Sequence, residues 1–166
     1  MRGKHHGRWL AVLVLMAGCA SEECLPPPEA DATPPALRLT VTYTDAVTGA
    51  QTTHTLADTS AAQTLYVQPG TPVEVTYAGE DPEGMRRVQL GATYVQLTVA
   101  GVVRRSPAIA PVKASCPQAV LSGTWSVPAL AKEQALLLGV AGENWAGQPA
   151  GTPSLRLEPG PPPERP

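Results

Sequence analysis

Thiols carry most of the chemistry available to this sequence of 166 residues. The three cysteines are Cys19, Cys24 and Cys116. Cys19 follows a positively charged start, the apolar run Trp9–Met16 and the small pair Ala17-Gly18. This order is typical of a secretory signal that ends in a cleavage site, and the apolar run is shorter than the ~20 residues that span a membrane. The sequence therefore predicts export and the removal of residues 1–18.

The segment Leu15-Met16-Ala17-Gly18-Cys19 resembles the lipobox of bacterial lipoproteins, with Met16 where that family usually has Leu. The resemblance implies cleavage before Cys19, diacylation of the Cys19 thiol by palmitate-type chains, and a mature protein held to a membrane by lipid. An ordinary signal peptide, in which Cys19 is incidental, is the alternative. Because Ala20 rather than Asp follows Cys19, the sorting tendency of the family implies the outer membrane.

Two cysteines, Cys24 and Cys116, remain if Cys19 is lipidated. Export favours a disulfide between them, because compartments outside the cytosol are oxidising. Such a bridge closes a long loop and stabilises the fold by roughly 4 kcal/mol in the chain-entropy model. We predict this disulfide; the alternative is two separate thiols, one of them in a mobile tail.

The charge of the mature chain argues against a nucleic-acid partner. Removal of residues 1–18 takes away three of the 12 basic residues and none of the 14 acidic ones, which leaves a net charge of −5. Nucleic acids select clustered Lys and Arg, which release counterions from phosphates. The basic residues pair only as Arg86-Arg87 and Arg104-Arg105, and neighbours on a strand point to opposite faces. We therefore expect neither nucleic-acid binding nor electrostatic membrane binding.

Catalytic and metal-binding groups are scarce in the mature chain. After cleavage the one remaining histidine is His54, which lies in a Thr-rich strand pattern, where an exposed residue is expected rather than a base. Zinc needs several His or Cys ligands, and the cysteines are assigned to lipidation and to the disulfide. The sequence has no nucleophile elbow and no glycine-rich phosphate loop. We predict no catalytic residues, no metal and no cofactor.

The densest acidic cluster is Glu80–Glu83, and it has two interpretations. Calcium prefers several oxygen ligands on a flexible loop, and Glu143 could join the cluster from a neighbouring loop. The alternative is a type I turn that ends at Gly84, with carboxylates that are solvated or paired with Arg86 or Arg87. We adopt the turn, because the spacing matches no EF-hand.

Two tryptophans, Trp125 and Trp145, remain after cleavage. Trp125 follows Val120 and Leu121 and precedes Val127, which is typical of a core position. Trp145 lies in a loop rich in Gly, Asn and Gln, where a packed loop anchor is favoured over an exposed platform for sugars.

The chain divides into four segments. Residues 1–18 are the signal peptide, 19–35 the lipidated cysteine with a Pro-rich tether, 36–158 the folded domain and 159–166 a disordered Pro-rich tail. Prolines prevent helices and sheet ladders and favour an extended polyproline II backbone, so the tether is expected to be a semi-rigid spacer.

Alternating apolar residues predict an all-β domain. The period of two recurs in short segments separated by turn residues. These segments are residues 37–43, 51–56, 65–67, 73–77, 87–103, 118–127, 134–141 and 155–157. Residues 128–139 also fit a helix locally, but the surrounding pattern favours a strand from about Gln134. We predict a single antiparallel β-sandwich.

Two short motifs narrow this fold prediction. Residues 78–90 resemble the acidic DxxG turn and the following strand of bacterial immunoglobulin-like modules. Residues 139–147 are similar to the strand and turn near the end of such modules, although Glu143-Asn144 precede Ala146-Gly147 and the usual final turn is shuffled. The resemblance implies an immunoglobulin-like sandwich, with another β-sandwich or a jelly roll as the alternative.

These features together predict a non-catalytic, lipid-anchored cell-envelope protein whose domain is a binding or spacer module. Its expected partners are the membrane, through Cys19, and an envelope protein. The alternative is a small-ligand or carbohydrate-binding lipoprotein that uses the loop around Trp145. The oligomeric state is left open.

Overall fold

The computed structural model describes residues 24, 33–57 and 60–163, and the regular elements in these ranges are all β-strands. They are β1 (Ala36–Thr44), β2 (Gln51–Ala57), β3 (Gln63–Val67), β4 (Val73–Thr98), β5 (Gly101–Arg105), β6 (Val112–Val127), β7 (Gln134–Asn144), β8 (Pro149–Gly151) and β9 (Leu155–Pro159). The all-β prediction is confirmed. The predicted signal peptide and Cys19 lie outside the described residues. None of the described residues forms a helix long and apolar enough to cross a membrane.

Strand β1 shows how the alternating pattern becomes a strand with two different faces. Its apolar side chains are buried, with at most 6% exposed; they are Leu37, Leu39, Val41 and Tyr43. Its threonines face the other side and pair with threonines of β2, with 3.1 Å between the Oγ1 atoms of Thr40 and Thr55 and 3.0 Å between those of Thr42 and Thr53. Such cross-strand pairs stabilise a sheet on its solvent face.

Asp45 begins the turn between β1 and β2. Its Oδ1 accepts hydrogen bonds from the backbone N–H groups of Val47 and Thr48 and from the Thr48 hydroxyl, at 2.8–3.0 Å. These donors, with the Thr48 backbone first, hold the pKa of the Asp45 carboxyl below its usual value, because they stabilise the ionised form.

Strand β4 organises the sheet, because its 26 residues pair with β1, β5, β6 and β7. Residues 74–80 lie between β1 and the second half of β6. Residues 85–96 pair with β7, and the end of the strand forms a hairpin with β5. The sequence predicted separate strands here. They are continuous because the turn at residues 81–84 is an irregularity within the strand rather than its end.

The sheet curls until β3, at one end of the strand order, reaches the end of β1. Its order is β2-β1-β4-β7-β9-β3, and β3 pairs with β9 in parallel, which makes the sheet mixed. Strand β3 then returns to the end of β1 through hydrogen bonds from Gln68 N to Thr44 O (2.8 Å) and from Ala46 N to Tyr66 O (3.0 Å). The curl encloses one apolar core with side chains from seven strands. This arrangement is consistent with the predicted β-sandwich.

The start of β7 agrees with the choice of a strand over a helix. Residues 129–133 form no helical turn; a turn closed by Gln134 N and Ala131 O at 3.0 Å precedes the strand. Leu136, Leu138 and Val140 are then buried at alternate positions. The good helix formers of this segment are outweighed by the pairing of β7 with β4.

Aromatic side chains fill part of the space inside the curled sheet. Trp125 packs against the core and meets Tyr94 edge to face, with 6.5 Å between the ring centroids. This is the core position predicted for Trp125. Tyr77 is 3% exposed, and its ring lies directly over its cross-strand partner, Gly123. A Cβ atom at position 123 would overlap the tyrosine ring.

We predict that Gly123→Ala destabilises the domain by about 1–3 kcal/mol, the usual cost of overpacking a core. Chemical denaturation followed by tryptophan fluorescence measures the change. The matched control is Gly91→Ala, because a Cβ there meets nothing closer than a carbonyl oxygen at 3.6 Å. Equal stability of the two variants would show that the Tyr77 ring does not depend on the space above Gly123.

Candidate functional site

The two motifs singled out in the sequence meet at one end of the sheet. Asp81 is 3% exposed and Asn144 is 1% exposed, and Asn144 Nδ2 donates a hydrogen bond to Asp81 Oδ2 at 3.1 Å. Asp81 Oδ1 also accepts from the backbone N–H groups of Glu83 (2.9 Å) and Gly84 (3.1 Å). Asn144 Oδ1 accepts from Gln148 N at 2.8 Å. These buried polar groups therefore tie the irregularity in β4 to the end of β7.

Gly84 is required at this junction for two reasons. Its φ is +117°, a conformation that side chains disfavour. A Cβ there would also overlap the Pro117 ring and come within 3.1 Å of Trp145 Cδ1. The Gly84 carbonyl accepts a hydrogen bond from Trp145 N at 3.0 Å. The turn thus lies between Pro117 of β6 and the Trp145 loop.

The carboxylates near this turn do not converge on a common point. Asp81 accepts from two backbone donors of the turn and from the Asn144 amide. The expectation of a carboxylate that is solvated or paired with Arg86 or Arg87 is therefore wrong for Asp81, which is buried. Glu80 pairs with Arg38 at 3.1 Å, and Glu143 pairs with Arg86 and Arg87. Within the described part of the chain no group of three or more His, Cys, Asp or Glu residues is placed to hold a metal ion. The arrangement gives calcium no set of oxygen ligands there.

A β-bulge brings the two neighbouring arginines to one carboxylate. The register of β4 shifts between Met85 and Arg87 relative to both β6 and β7. Met85 and Val88 are buried, while Arg86 and Arg87 are both exposed. Arg86 Nη1 and Arg87 Nη2 each lie 2.8 Å from a different oxygen of Glu143. The expectation that Arg86 and Arg87 point to opposite faces is wrong, because a bulge re-aims side chains.

Lys113 completes a row of charged residues across three strands. Arg87 is paired with Lys113 of β6 on one side and with Glu143 of β7 on the other. Directly paired residues share a face of the sheet, and neighbouring strands are ~4.8 Å apart. Together with Arg86, Ala114 and Trp145 these residues line an open cleft of about 440 Å³. We define this group as the Arg86 cleft. Sequence reasoning missed Lys113, because its place beside Arg87 depends on strand register.

Trp145 is a wall of the Arg86 cleft and also a packed loop residue. Its backbone N–H is bonded to Gly84, and its indole edge lies near Gly84. The indole N–H is buried and has no acceptor among the described residues. The packed-anchor interpretation of Trp145 therefore fits its position, and the cleft extends alongside it.

The disulfide lies beside this site. Cys24 is bonded to Cys116, with 5.2 Å between their Cα atoms, as the sequence predicted. Cys116 precedes Pro117, which contacts the Gly84 turn. The chain is attached to the domain again at Thr33, whose carbonyl accepts from Asn144 Nδ2 at 3.1 Å. The disulfide therefore limits the predicted spacer to the four residues between Cys19 and the bonded Cys24.

His54 is half-buried, and the expectation of an exposed residue is wrong. It pairs with Val41 of β1, whose side chain lies in the core, so the imidazole faces the same side of the sheet. Its Nε2 is buried and has no hydrogen-bond partner among the described residues.

We predict that Asn144→Ala destabilises the domain by about 2–4 kcal/mol, because it leaves Asp81 Oδ2 and the Gln148 N–H without their buried partner. Urea denaturation measures the loss, with the exposed Gln118→Ala as the control. A loss below about 1 kcal/mol would contradict the role assigned to the Asp81–Asn144 pair.

No protein-family model matches this chain, and no curated protein matches it.

Proposed function

We propose that this chain is a non-catalytic lipoprotein of the bacterial cell envelope, anchored in the outer membrane through a diacylated Cys19. Its β-domain acts as a binding module close to the membrane surface. The observation that supports this proposal is the disulfide between Cys24 and Cys116, which joins the domain to the chain five residues after the lipid-modified position.

The short connection favours a binding module over a spacer. Five residues reach at most about 18 Å at full extension. Without the disulfide the free chain would run from Cys19 to Thr33, which is 14 residues and about 50 Å at full extension. A protein whose function is to hold a domain away from the bilayer gains nothing from a bridge that removes most of this reach.

We further propose that the domain is an immunoglobulin-like sandwich. The two motifs that carry the resemblance, residues 78–90 and 139–147, are in contact through Asp81 and Asn144. Contact between the acidic turn and the last long strand gives the shuffled Glu143-Asn144 order a structural role.

The Arg86 cleft supports small-ligand binding as the activity of the module. A neutral sugar would need an open aromatic face, and Trp145 is half-buried with its indole edge near Gly84 of β4. Three cationic side chains line the same cleft. An anionic ligand therefore suits this cleft better than a neutral carbohydrate.

Lipid anchoring is tested by replacing the modified cysteine. We predict that Cys19→Ala abolishes incorporation of a palmitate analogue, because the acceptor thiol is lost. Metabolic labelling and cell fractionation measure the effect, and Cys24→Ala is the control that retains Cys19. A Cys19→Ala chain that still takes up label and stays in the membrane fraction would refute the anchor.

Proximity to the membrane is tested through the disulfide. We predict that Förster transfer from the domain tryptophans to acceptor-labelled lipid headgroups falls when Cys24 and Cys116 are both changed to Ser. The reason is the longer reach of the free chain in that variant. The measurement uses the lipidated protein in vesicles, and dithiothreitol treatment of the unchanged protein should cause the same fall. Equal transfer before and after loss of the disulfide would contradict a domain held at the surface.

A further inference from the structure

The Arg86 cleft is lined by more positive charge than its one carboxylate can neutralise. Glu143 shares its two oxygens between Arg86 and Arg87 and is the one acidic side chain that lines the cleft among the described residues. Lys113 also lines the cleft and is paired with none of the described carboxylates. Three cations therefore face a single carboxylate.

The excess positive charge is concentrated where Lys113 lies beside Arg87. Lys113 and Arg87 are directly paired across β6 and β4. Like charges in directly opposed positions of an antiparallel pair destabilise the sheet. A second anion between them would remove this repulsion, and Glu143 lies on the far side of Arg87, in β7.

The two guanidinium groups are held in place yet remain accessible. Each uses one nitrogen for Glu143, and their side chains are 56% and 54% exposed. A guanidinium has five N–H donors, so donors remain on both for a ligand. The planar donor fork of Arg matches phosphate oxygens, and Lys adds a point charge. Glu143 thus orients two phosphate-binding groups while leaving part of their charge available.

The disulfide limits the distance between the Arg86 cleft and the membrane in the proposed anchored protein, and so favours phosphates of lipid headgroups as ligands. Lys113 is three residues from Cys116 on β6, about 10 Å along the strand. The lipid on Cys19 lies at most about 18 Å from Cys24 in the proposed anchored protein. The cleft can therefore reach the headgroup layer, whereas the β4–β5 hairpin lies about 36 Å further along β4. Since the mature chain carries a net negative charge, an anionic bilayer attracts this face rather than the whole domain.

We propose that the Arg86 cleft binds the phosphate group of an anionic membrane lipid, with Arg86, Arg87 and Lys113 as the phosphate-binding residues. This inference rests on the proposed anchoring through Cys19 for the source of the phosphate. It reverses the expectation, drawn from the sequence, that the arginine pairs do not bind membranes electrostatically.

The test uses the mature chain from residue 19 with Cys19→Ala, so that neither lipid nor signal peptide contributes to binding. Flotation with phosphatidylglycerol vesicles at low ionic strength measures the partition coefficient. A change of one charge unit near the surface alters the partition coefficient about fivefold, so Lys113→Glu, which changes the charge by two units, should lower it about 25-fold. Lys113 is exposed, so this variant is expected to fold. The matched control, Arg104→Glu on the exposed strand β5, should bind as the parent does.

Calorimetric titration with inorganic phosphate distinguishes the source of the ligand. Vesicle binding that is weakened by Lys113→Glu and not by Arg104→Glu supports the lipid headgroup. Binding of free phosphate without binding to vesicles would overturn the membrane source. Binding of neither, or equal losses in both variants, would overturn the site itself. None of these outcomes depends on palmitate labelling, so failure here is distinguishable from failure of the Cys19 anchor.

Discussion

The buried hydrogen bond between Asp81 and Asn144 is the interaction on which this end of the protein depends. A carboxylate that is 3% exposed needs donors for both oxygens, and the turn and the Asn144 amide supply them. The same amide binds the Thr33 carbonyl and so fixes the entry of the chain into β1. One polar cluster thereby positions the entry of the chain into β1, the turn at residues 81–84 and the Trp145 loop. Loss of any partner in this cluster leaves a buried polar group without a hydrogen bond.

Just beyond this cluster, one extra residue in β4 changes the electrostatics of the surface. Regular alternation would place Arg86 and Arg87 on opposite faces; the bulge turns both toward Glu143. The carboxylate then separates two like charges that would otherwise repel. The result is a cationic surface on a chain whose overall charge is negative. Such a surface is produced by register and is invisible in composition.

Local patterns predicted the fold well where one effect dominates. Leu37 to Tyr43 alternate cleanly, and Gln134 begins a strand despite helix-forming neighbours, since burial against β4 outweighs propensity. The disulfide was predicted because two cysteines remain, besides Cys19, in a chain with the pattern of an exported protein. The predictions that were wrong or missing are those that depend on strand register. His54 is half-buried because it pairs with Val41, and β4 continues through a turn that the sequence interpreted as an end. Lys113 could not be linked to Arg87 without knowing which residues of β6 lie beside β4.

The disulfide also decides which peptide bonds matter for attachment. Because Cys24 is covalently joined to Cys116, a protease that cuts between Cys24 and Thr33 leaves the folded domain connected to everything before Cys24. Cleavage next to the prolines at positions 26–28 would therefore not release the domain. In the proposed anchored protein, release of the domain requires a cut between Cys19 and Cys24, or a cut between Cys24 and Thr33 together with reduction of the bridge. If Cys19 carries the lipid, as proposed, the four residues between Cys19 and Cys24 are the stretch in which a single cut releases the domain, and the bridge protects against cuts further along.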